Sequence, residues 1–571
     1  MRSSPQRTLL ASLLLGIVAV GCTTTHYRKS ADKETYRAIQ AKTPLVTNMD
    51  ARFTLEGTNR ISLSSLPIAT NIQEFLGQDG EVERGASILR LEDALAIAIS
   101  SSRNYQSRKE QLYLSGLSLT LTRHQFAPIF SGAGSANYSV LTEQATSVGV
   151  DPVTGLPKVN VSDNLVEQHR VALNGDVGAS WLIRDVGRVT AAFTTDFLRF
   201  VTGDPRVTTS SQLSAMLVRP LLRDAGFKAE KETLLQAERQ LLYDLRDFTR
   251  FRKDFAVQVA TAFYGVLGNR DTVRNSYLNL QSSRKNAERS RALAQEGRIT
   301  QSDLGRLEQQ ELSTESTWIN AVRNYKQALD NFKLQLGLSV NLNIVLDDRD
   351  LESLRIMHPN IEVDDSIKVA LAARLDYLNA KDELEDAGRK VDLAANFLKP
   401  GLDLTASVGI NSNPKDHNGF PVPELDRYHW NAGLNLDPAL ERKAERNSYR
   451  SALIARNRAE RTVAQQEDEI KVQVRDSWRT LDQAKRNYEI SAIGVKLAER
   501  RVEEQNLLAE LGRAKAQDQV DAQNALIDSK NQLTQALVTH TIARLQFWNN
   551  MGILYIKDNG QWEEIQNAKA Q

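Results

Sequence analysis

Two short stretches, EGRITQSD at 296–303 and LGRAKAQD at 511–518, each place an aspartate six positions after a glycine. Asp521 follows Asp518 by three positions, so both carboxylates can face one side of a helix. Their plain alternative is a pair of solvated carboxylates at a helix start, favoured there by the helix dipole. The first stretch has Asp303 but carries Arg306 where a second aspartate would fall. No P-loop, HExxH or CxxC pattern occurs, and the seven histidines, at 26, 124, 169, 358, 417, 429 and 540, share no metal-ligand spacing. GAGSAN at 132–137 lacks the third glycine of a dinucleotide loop and opens a strand rather than a helix. These residues name no catalytic group, no metal and no cofactor, and they point away from an enzyme.

The only cysteine, Cys22, ends an N-terminal stretch in which Arg2 and Arg7 precede an apolar run at 9–20. That run is too short to span a bilayer and has the form of a secretory signal. With AVGC at its end, it resembles a bacterial lipoprotein signal: residues 1–21 are removed, and Cys22 carries a diacylglycerol and an N-acyl chain. Ala19 departs from the leucine usual at that place, and the alternative is an ordinary cleaved signal with an incidental cysteine. Thr23, rather than aspartate, follows Cys22, which by the same resemblance favours the outer membrane. Without a second cysteine the chain needs no disulfide in an oxidising compartment.

Across 571 residues, 72 Lys and Arg stand against 71 Asp and Glu, leaving a formal charge of +1. No bulk field therefore argues for nucleic acid. The mean hydropathy is −0.41, and nothing after residue 22 approaches the ~18 apolar residues of a membrane-spanning helix.

The positions that hold Asp303 and Asp518 belong to an internal duplication. The register that sets Gly297 on Gly512 also pairs Ala321 with Ala536, Ala328 with Ala543, Phe332 with Phe547 and Gly337 with Gly552. An earlier segment repeats in another register, with Asn104-Tyr105 on Asp376-Tyr377, Gly116 on Gly388 and Pro128 on Pro400. The difference between the registers is an insertion in the first half. Repeats of this kind are structural units that need one another.

Within each copy an apolar seam at 4-4-3 spacing, Phe255, Val259, Phe263 and Val266 against Ile470, Val474, Trp478 and Leu481, predicts a helix. Stretches without a second proline predict long rods over about 220–293 and 438–511. Shorter helices are expected at about 91–126, 303–336, 363–396 and 518–551. Rods of that length suit coiled-coil packing rather than a compact core. Gly297 and Gly512 are then helix-ending residues with positive φ.

Strict alternation lies between the helices. Leu402, Leu404, Ala406, Val408 and Ile410 share one face of a strand, as do Trp430, Ala432, Leu434 and Leu436. The first copy holds four candidate strands, about 129–141, 169–182, 188–201 and 207–218, with 142–166 read as an external loop. Such strands suit a transmembrane barrel with a wet lumen or, equally, a half-buried soluble sheet.

The order of helix, proline, strand pair, proline, long helix, glycine turn and helix, written twice, resembles the TolC-type outer-membrane efflux family. SRNY at 102–105, ARLDY at 373–377, Pro128, Pro400, RPLLRDAG at 219–226 and the paired tips carry the resemblance over roughly residues 88–556. It implies an α+β membrane protein: a homotrimer whose outer-membrane β-barrel continues as a long α-helical coiled-coil barrel across the periplasm, each chain built from two repeats. It implies passive conduction from periplasm to exterior within a tripartite efflux or type I secretion system. The partners would be a periplasmic adaptor and an inner-membrane pump, which supplies the energy. The chain then divides into a signal (1–21), an extended segment (22–87), a first repeat (88–337, strands about 129–219) and an equatorial segment (338–362). A second repeat (363–552, strands about 402–437) and a tail (553–571) complete it. In the family, carboxylates six and nine places after the second tip glycine ring the periplasmic aperture, which implies Asp518 and Asp521, with Asp303 as the first copy's counterpart. Threefold symmetry would gather those carboxylates into a cation-attracting ring. The family's locking arginine is replaced here by Ala514, with Arg513 or Lys515, paired to Asp303, as a substitute. Gly297, Arg298, Gly512 and Arg513 would dock the adaptor. The family has two strands per copy, so twelve barrel strands are expected if the extra hairpin lies outside and eighteen if all insert; the pattern favours twelve. The rival reading is a periplasmic coiled-coil scaffold lipoprotein that forms no pore.

Overall fold

The computed structural model describes residues 23–56, 63–183, 186–201, 207–413, 422–438, 440–511, 513, 515–557 and 559–563. Cys22, Gly512 and Ala514 lie outside the described residues. Two compact units emerge: one contains residues up to Gly116, Gln240–Glu383 and from Glu460 on, and the other contains Leu117–Arg239 and Leu384–Ala459.

The first unit is mainly helical. Its chain includes α1 (Thr24–Lys42), α2 (Leu91–Ser101), the start of α3 (Arg103–His124) and most of α4 (Lys228–Gln295). It also holds α5 (Gln301–Leu336), α6 (Val363–Ala373), the start of α7 (Leu375–Phe397), most of α8 (Lys443–Glu510) and α9 (Ala516–Asn550). The 4-4-3 seams are buried as their period requires: Phe255, Val259, Phe263 and Val266 on α4, and Ile470, Val474 and Leu481 on α8. The α8 seam packs with Tyr377, Ala543, Phe547 and Met551. A three-residue strand β1 (Ser87–Leu89) pairs in parallel with β6 (Ile344–Leu346), joining the N-terminal segment to the segment between the helical pairs.

Two helices expected as continuous are each interrupted by one extended residue, Ser102 (ψ 126) and Arg374 (ψ 122). The cause is tertiary. Gly337, with φ +76 at the end of α5, sits so close to Ser101 and Ser102 that a Cβ would collide with the Ser101 carbonyl. At Gly552, also at φ +76, a Cβ would stand 3.2 Å from the Ala373–Arg374 backbone, a tight approach. Only glycine combines a left-handed backbone with that approach.

His540 on α9 is fully buried near His358, ring centroids 6.4 Å apart, with the Trp478 ring tilted against His358 at 5.0 Å. Among the described residues neither ring nitrogen of His540 has a hydrogen-bond partner. Burial first, then Arg544 on the same helix, His358 and Lys485 on α8, push its pKa down to about 4. Asp482 and Glu489 on α8 face His358 and act in the opposite sense on that ring. A base with a depressed native pKa contributes stability that is complete above its ordinary value of 6.5 and is lost as pH falls toward about 4. His540→Leu is expected to remove this acid sensitivity, cutting the loss of stability between pH 7 and pH 5 by about 2 kcal/mol. Denaturation of native and variant at both pH values measures it; equal losses would show that His540 does not titrate there.

The second unit is a six-stranded sheet in the order β2-β3-β4-β5-β7-β8, with the adjoining ends of α3, α4, α7 and α8. The strands are β2 (Ile129–Val150), β3 (Pro157–Ile183), β4 (Gly187–Phe200), β5 (Val207–Pro220), β7 (Gly401–Ser412) and β8 (Pro423–Asp437), each antiparallel to its neighbours. Two expectations are corrected here. The extra hairpin does not stand outside: β3 and β4 lie in the sheet, hydrogen-bonded between β2 and β5. The presumed loop 142–166 instead continues β2 and β3 as an antiparallel ribbon that turns at 151–156. Its Thr and Val content favours extended pairing over an irregular loop.

Candidate functional site

Directly opposed residues in an antiparallel ladder share a face, so the pairing register shows where each side chain points. Reading one row across the sheet gives Gly132, Val177, Phe193, Leu213, Ile410 and Tyr428. The next row on that face gives Phe130, Ala179, Ala191, Ala215, Val408 and Trp430. The opposite face carries Ser135, Asn174, Asp196 and Ser210 in one row, and Asp176, Thr194, Gln212 and Asn411 in another. All six strands therefore keep the same apolar and polar sides without a slip between the two parts of the chain.

The apolar side is not a core. Trp430 and Leu434 are 68% and 66% exposed, and Phe130 is 80% exposed. On β3 itself the residues of this side from Leu173 to Ile183 carry no polar side chain, a length that at ~3.4 Å per residue and a tilt of ~40° is roughly 26 Å, the height of a hydrocarbon band, while the row of Gly175 holds Thr195 and Ser211 on the neighbouring strands. Arg199 ends the band, standing on the apolar side in the row of Tyr138 and Val171. β2 and β8 are the two edges of the sheet and have no further strand beside them among the described residues. No described helix is long and apolar enough to cross a membrane.

The second candidate region is the pair of bends in the helical unit. Gly297 has φ +70, its N–H donates to the Ala294 carbonyl (3.0 Å), and the Arg298 N–H donates to Leu293 (2.9 Å). This is the Schellman closure of a helix end. At the other bend the Arg513 N–H donates to Leu508 (2.8 Å), the same closing bond. Arg298 is exposed, its guanidinium 3.7 Å from Glu296, and Arg513 is exposed too.

Beyond the bends the two copies differ. Thr300 caps α5: its hydroxyl accepts from the Asp303 N–H (3.1 Å) and donates to the Asp303 carboxylate (2.7 Å). The Thr-x-x-Asp pattern at 300–303 is the sequence signature of this N-cap. The position before α9 is Lys515, whose side chain makes no cap. Asp518 and Asp521 are both exposed, and Asp521 accepts from Gln517 at 2.9 Å. Asp303 is thus satisfied within its own turn, and among the described residues no ion pair joins it to Arg513 or Lys515. Along the same helices, side-chain bonds from Asn275 to Asn531 (2.8 Å) and from Gln310 to Asn524 (3.0 Å) tie α4 and α5 to α9. Among the described residues no group of three or more His, Cys, Asp or Glu side chains could hold a metal ion.

No protein-family model matches the sequence, and no curated protein matches it. Solved structures do. The outer membrane channel CmeC of Campylobacter jejuni superposes with a TM-score of 0.58 over 90% of this chain and 93% of its own, at 12% identity. The outer-membrane channel OprN gives 0.58 over 88% and 98%, at 13% identity. The outer membrane protein VceC of Vibrio cholerae gives 0.56 over 81% and 96%, at 14% identity. At such identities the likeness shows the fold.

Proposed function

We propose that this chain, which has the fold of the TolC-type outer-membrane channels, is the outer-membrane channel of a tripartite efflux or type I secretion system. One observation carries the reading: an exposed apolar face that stays in register over six strands at the rows of Val177 and Ala179, with both sheet edges open. In lipid every backbone group must pair, so an open sheet cannot span alone. β8 runs toward the helices and β2 away from them, so β8 of one copy meets β2 of the next in antiparallel sense. Three copies of six strands close a barrel of eighteen, a size that leaves an aqueous lumen. The polar face then lines the lumen, and substrates pass without energy from this chain. A non-pore scaffold would have no use for the exposed apolar face. The purified protein in planar bilayers should give discrete conductance steps; a protein that stays dispersed without detergent and never conducts would reject the channel.

The duplication belongs to this reading. α4 and α8 each have 68 residues, α5 and α9 have 36 and 35, and each pair meets at a bend with the same closing bond. The repeats are read as 88–337 and 363–552, with 338–362 between them. Cys22 is read as lipidated, an auxiliary anchor beside the barrel, since one or two acyl chains bind a membrane less firmly than inserted protein. Mass spectrometry of the mature N-terminus checks it.

The bends at Gly297, Arg298, Gly512 and Arg513 are read as the docking points for an adaptor of an inner-membrane pump. Crosslinkers at 298 and 513 should capture it in exporting cells. Asp518 and Asp521 are read as the aperture ring, with Asp303 outside it because Thr300 already holds that carboxylate. Asp518→Ala with Asp521→Ala should lower the cation preference of the conducting channel several-fold. Unchanged reversal potentials in a salt gradient would leave these carboxylates as solvated helix-start residues.

A further inference from the structure

Four strand ends of the sheet unit lead into helices: α3 enters β2, β5 leads to α4, α7 enters β7, and β8 leads to α8. The inserted hairpin does not. β3 and β4 are joined at that end by a short turn, closed by the Val186 N–H on the Ile183 carbonyl (3.2 Å). Gly187 follows, pressed so near β5 that a Cβ would stand 2.8 Å from the Val218 carbonyl. Two strands therefore end with no helix of their own beneath them. Under that end lies a cavity of about 690 Å³, walled by Phe126, Trp181, Ile183, Phe227, Leu234 and Leu235. Its size falls in the range of small-molecule sites. Arg123 on α3 and Glu238 on α4 pair at 2.7 Å beside it, and Arg188 at the hairpin base pairs with Glu230 on α4 at 3.3 Å.

Two features select the occupant. Lys231 and Glu238 are the charged groups in the lining, one of each sign, and the rest is hydrocarbon or aromatic. A neutral apolar lining suits an uncharged chain rather than a charged peptide or nucleotide. Trp181 and Ile183 also belong to the apolar face of the sheet, so the cavity is continuous with the surface that the proposed function sets in the bilayer. We infer that this cavity is a lateral binding site for an acyl chain of a bilayer phospholipid, created by the inserted hairpin and resting on the channel reading for its placement in lipid. The space is half open at its mouth, so a hydrocarbon chain can enter from the side and make contacts along the apolar wall.

Native mass spectrometry tests it. The full-length protein is stripped of lipid in detergent and titrated with dioleoyl phosphatidylethanolamine. One lipid per chain should survive activation that removes loosely held lipid. The double variant Leu234→Phe, Leu235→Phe, which fills the cavity, should lower that retention at least tenfold while its bilayer conductance stays as in the native protein. Absence of a retained lipid in the native protein, or equal retention in the filled variant, overturns the site. So does a crosslink between copies from a photoreactive side chain placed at position 235, which would mean that protein covers the cavity. Lipid retention is read without a pore, so missing conductance in both proteins would reject the channel and leave the lipid count to be judged on its own.

Discussion

On the proposed channel reading, Phe193→Arg should deplete the protein from the outer membrane, whereas Thr194→Arg, one residue further, should leave assembly and conductance near native. Phe193 lies on the inserted strand β4, opposite Leu213 of β5 and Val177 of β3, near the middle of the apolar rows. An arginine facing lipid at that depth costs about 2–4 kcal/mol, falling toward zero at the interfaces. Thr194 has the opposite parity and stands opposite Asp176 and Gln212 on the polar face. A guanidinium there meets a carboxylate and, in a channel, water. The pair of variants thus separates position in the barrel from general damage to β4, because both place the same side chain in the same strand. Membrane fractionation and single-channel recording read the outcome. If both variants insert equally, this side of β4 does not face lipid; if both fail, the polar face does not line water.

How far the sequence reached follows from the range of each interaction. The 4-4-3 seams and the glycine at 297 are local signals, and the helices and the first bend lie where those signals put them. Alternation gave the strands, because period two is also local. It could not say whether β3 and β4 join the sheet, since any half-buried sheet satisfies the same alternation and only hydrogen-bonded register distinguishes them. The interruptions at Ser102 and Arg374 were hidden for a related reason: neither residue breaks helices, and the docked glycines come from more than 170 residues away. At the bends the paired glycines and aspartates were visible, but the inequality of the two copies rests on Thr300 against Lys515. That difference was legible as a cap signature. The cavity beneath the hairpin has no sequence signal, because it arises from two strands that lack helices.

The N-terminal segment and the segment 338–362 should come loose together when Glu83 is shortened. Glu83 ends a short helix four residues before Ser87 of β1, and its carboxylate meets the Arg270 guanidinium of α4 at 3.0 and 3.1 Å while accepting the Tyr325 hydroxyl of α5 at 2.7 Å. Arg270 also reaches Asp348, just after β6, at 3.2 Å, and the Phe75 ring lies 5.5 Å from its guanidinium. Arg270 is only 2% exposed, so water cannot replace a lost partner. Removing one member of such a pair costs about 3–5 kcal/mol, chiefly because the other charge stays buried. Burial holds the Glu83 carboxyl above its ordinary range in spite of Arg270. A raised native pKa means that the stability from the protonated form is complete below pH 4.5 and is lost as pH rises through the native value. Glu83→Gln keeps one oxygen to accept from Arg270 and Tyr325 but turns a donor N–H2 toward the guanidinium, so it should fall between the native protein and Glu83→Ala. Amide hydrogen exchange at Ser87–Leu89 and Ile344–Leu346 measures the difference locally, without assuming two-state unfolding of a large protein. Protection there should fall by about two to four decades in Glu83→Ala, which is 3–5 kcal/mol of lost local stability at 1.4 kcal/mol per decade. Equal protection in the native, Gln and Ala proteins would mean that the buried network does not hold these two segments.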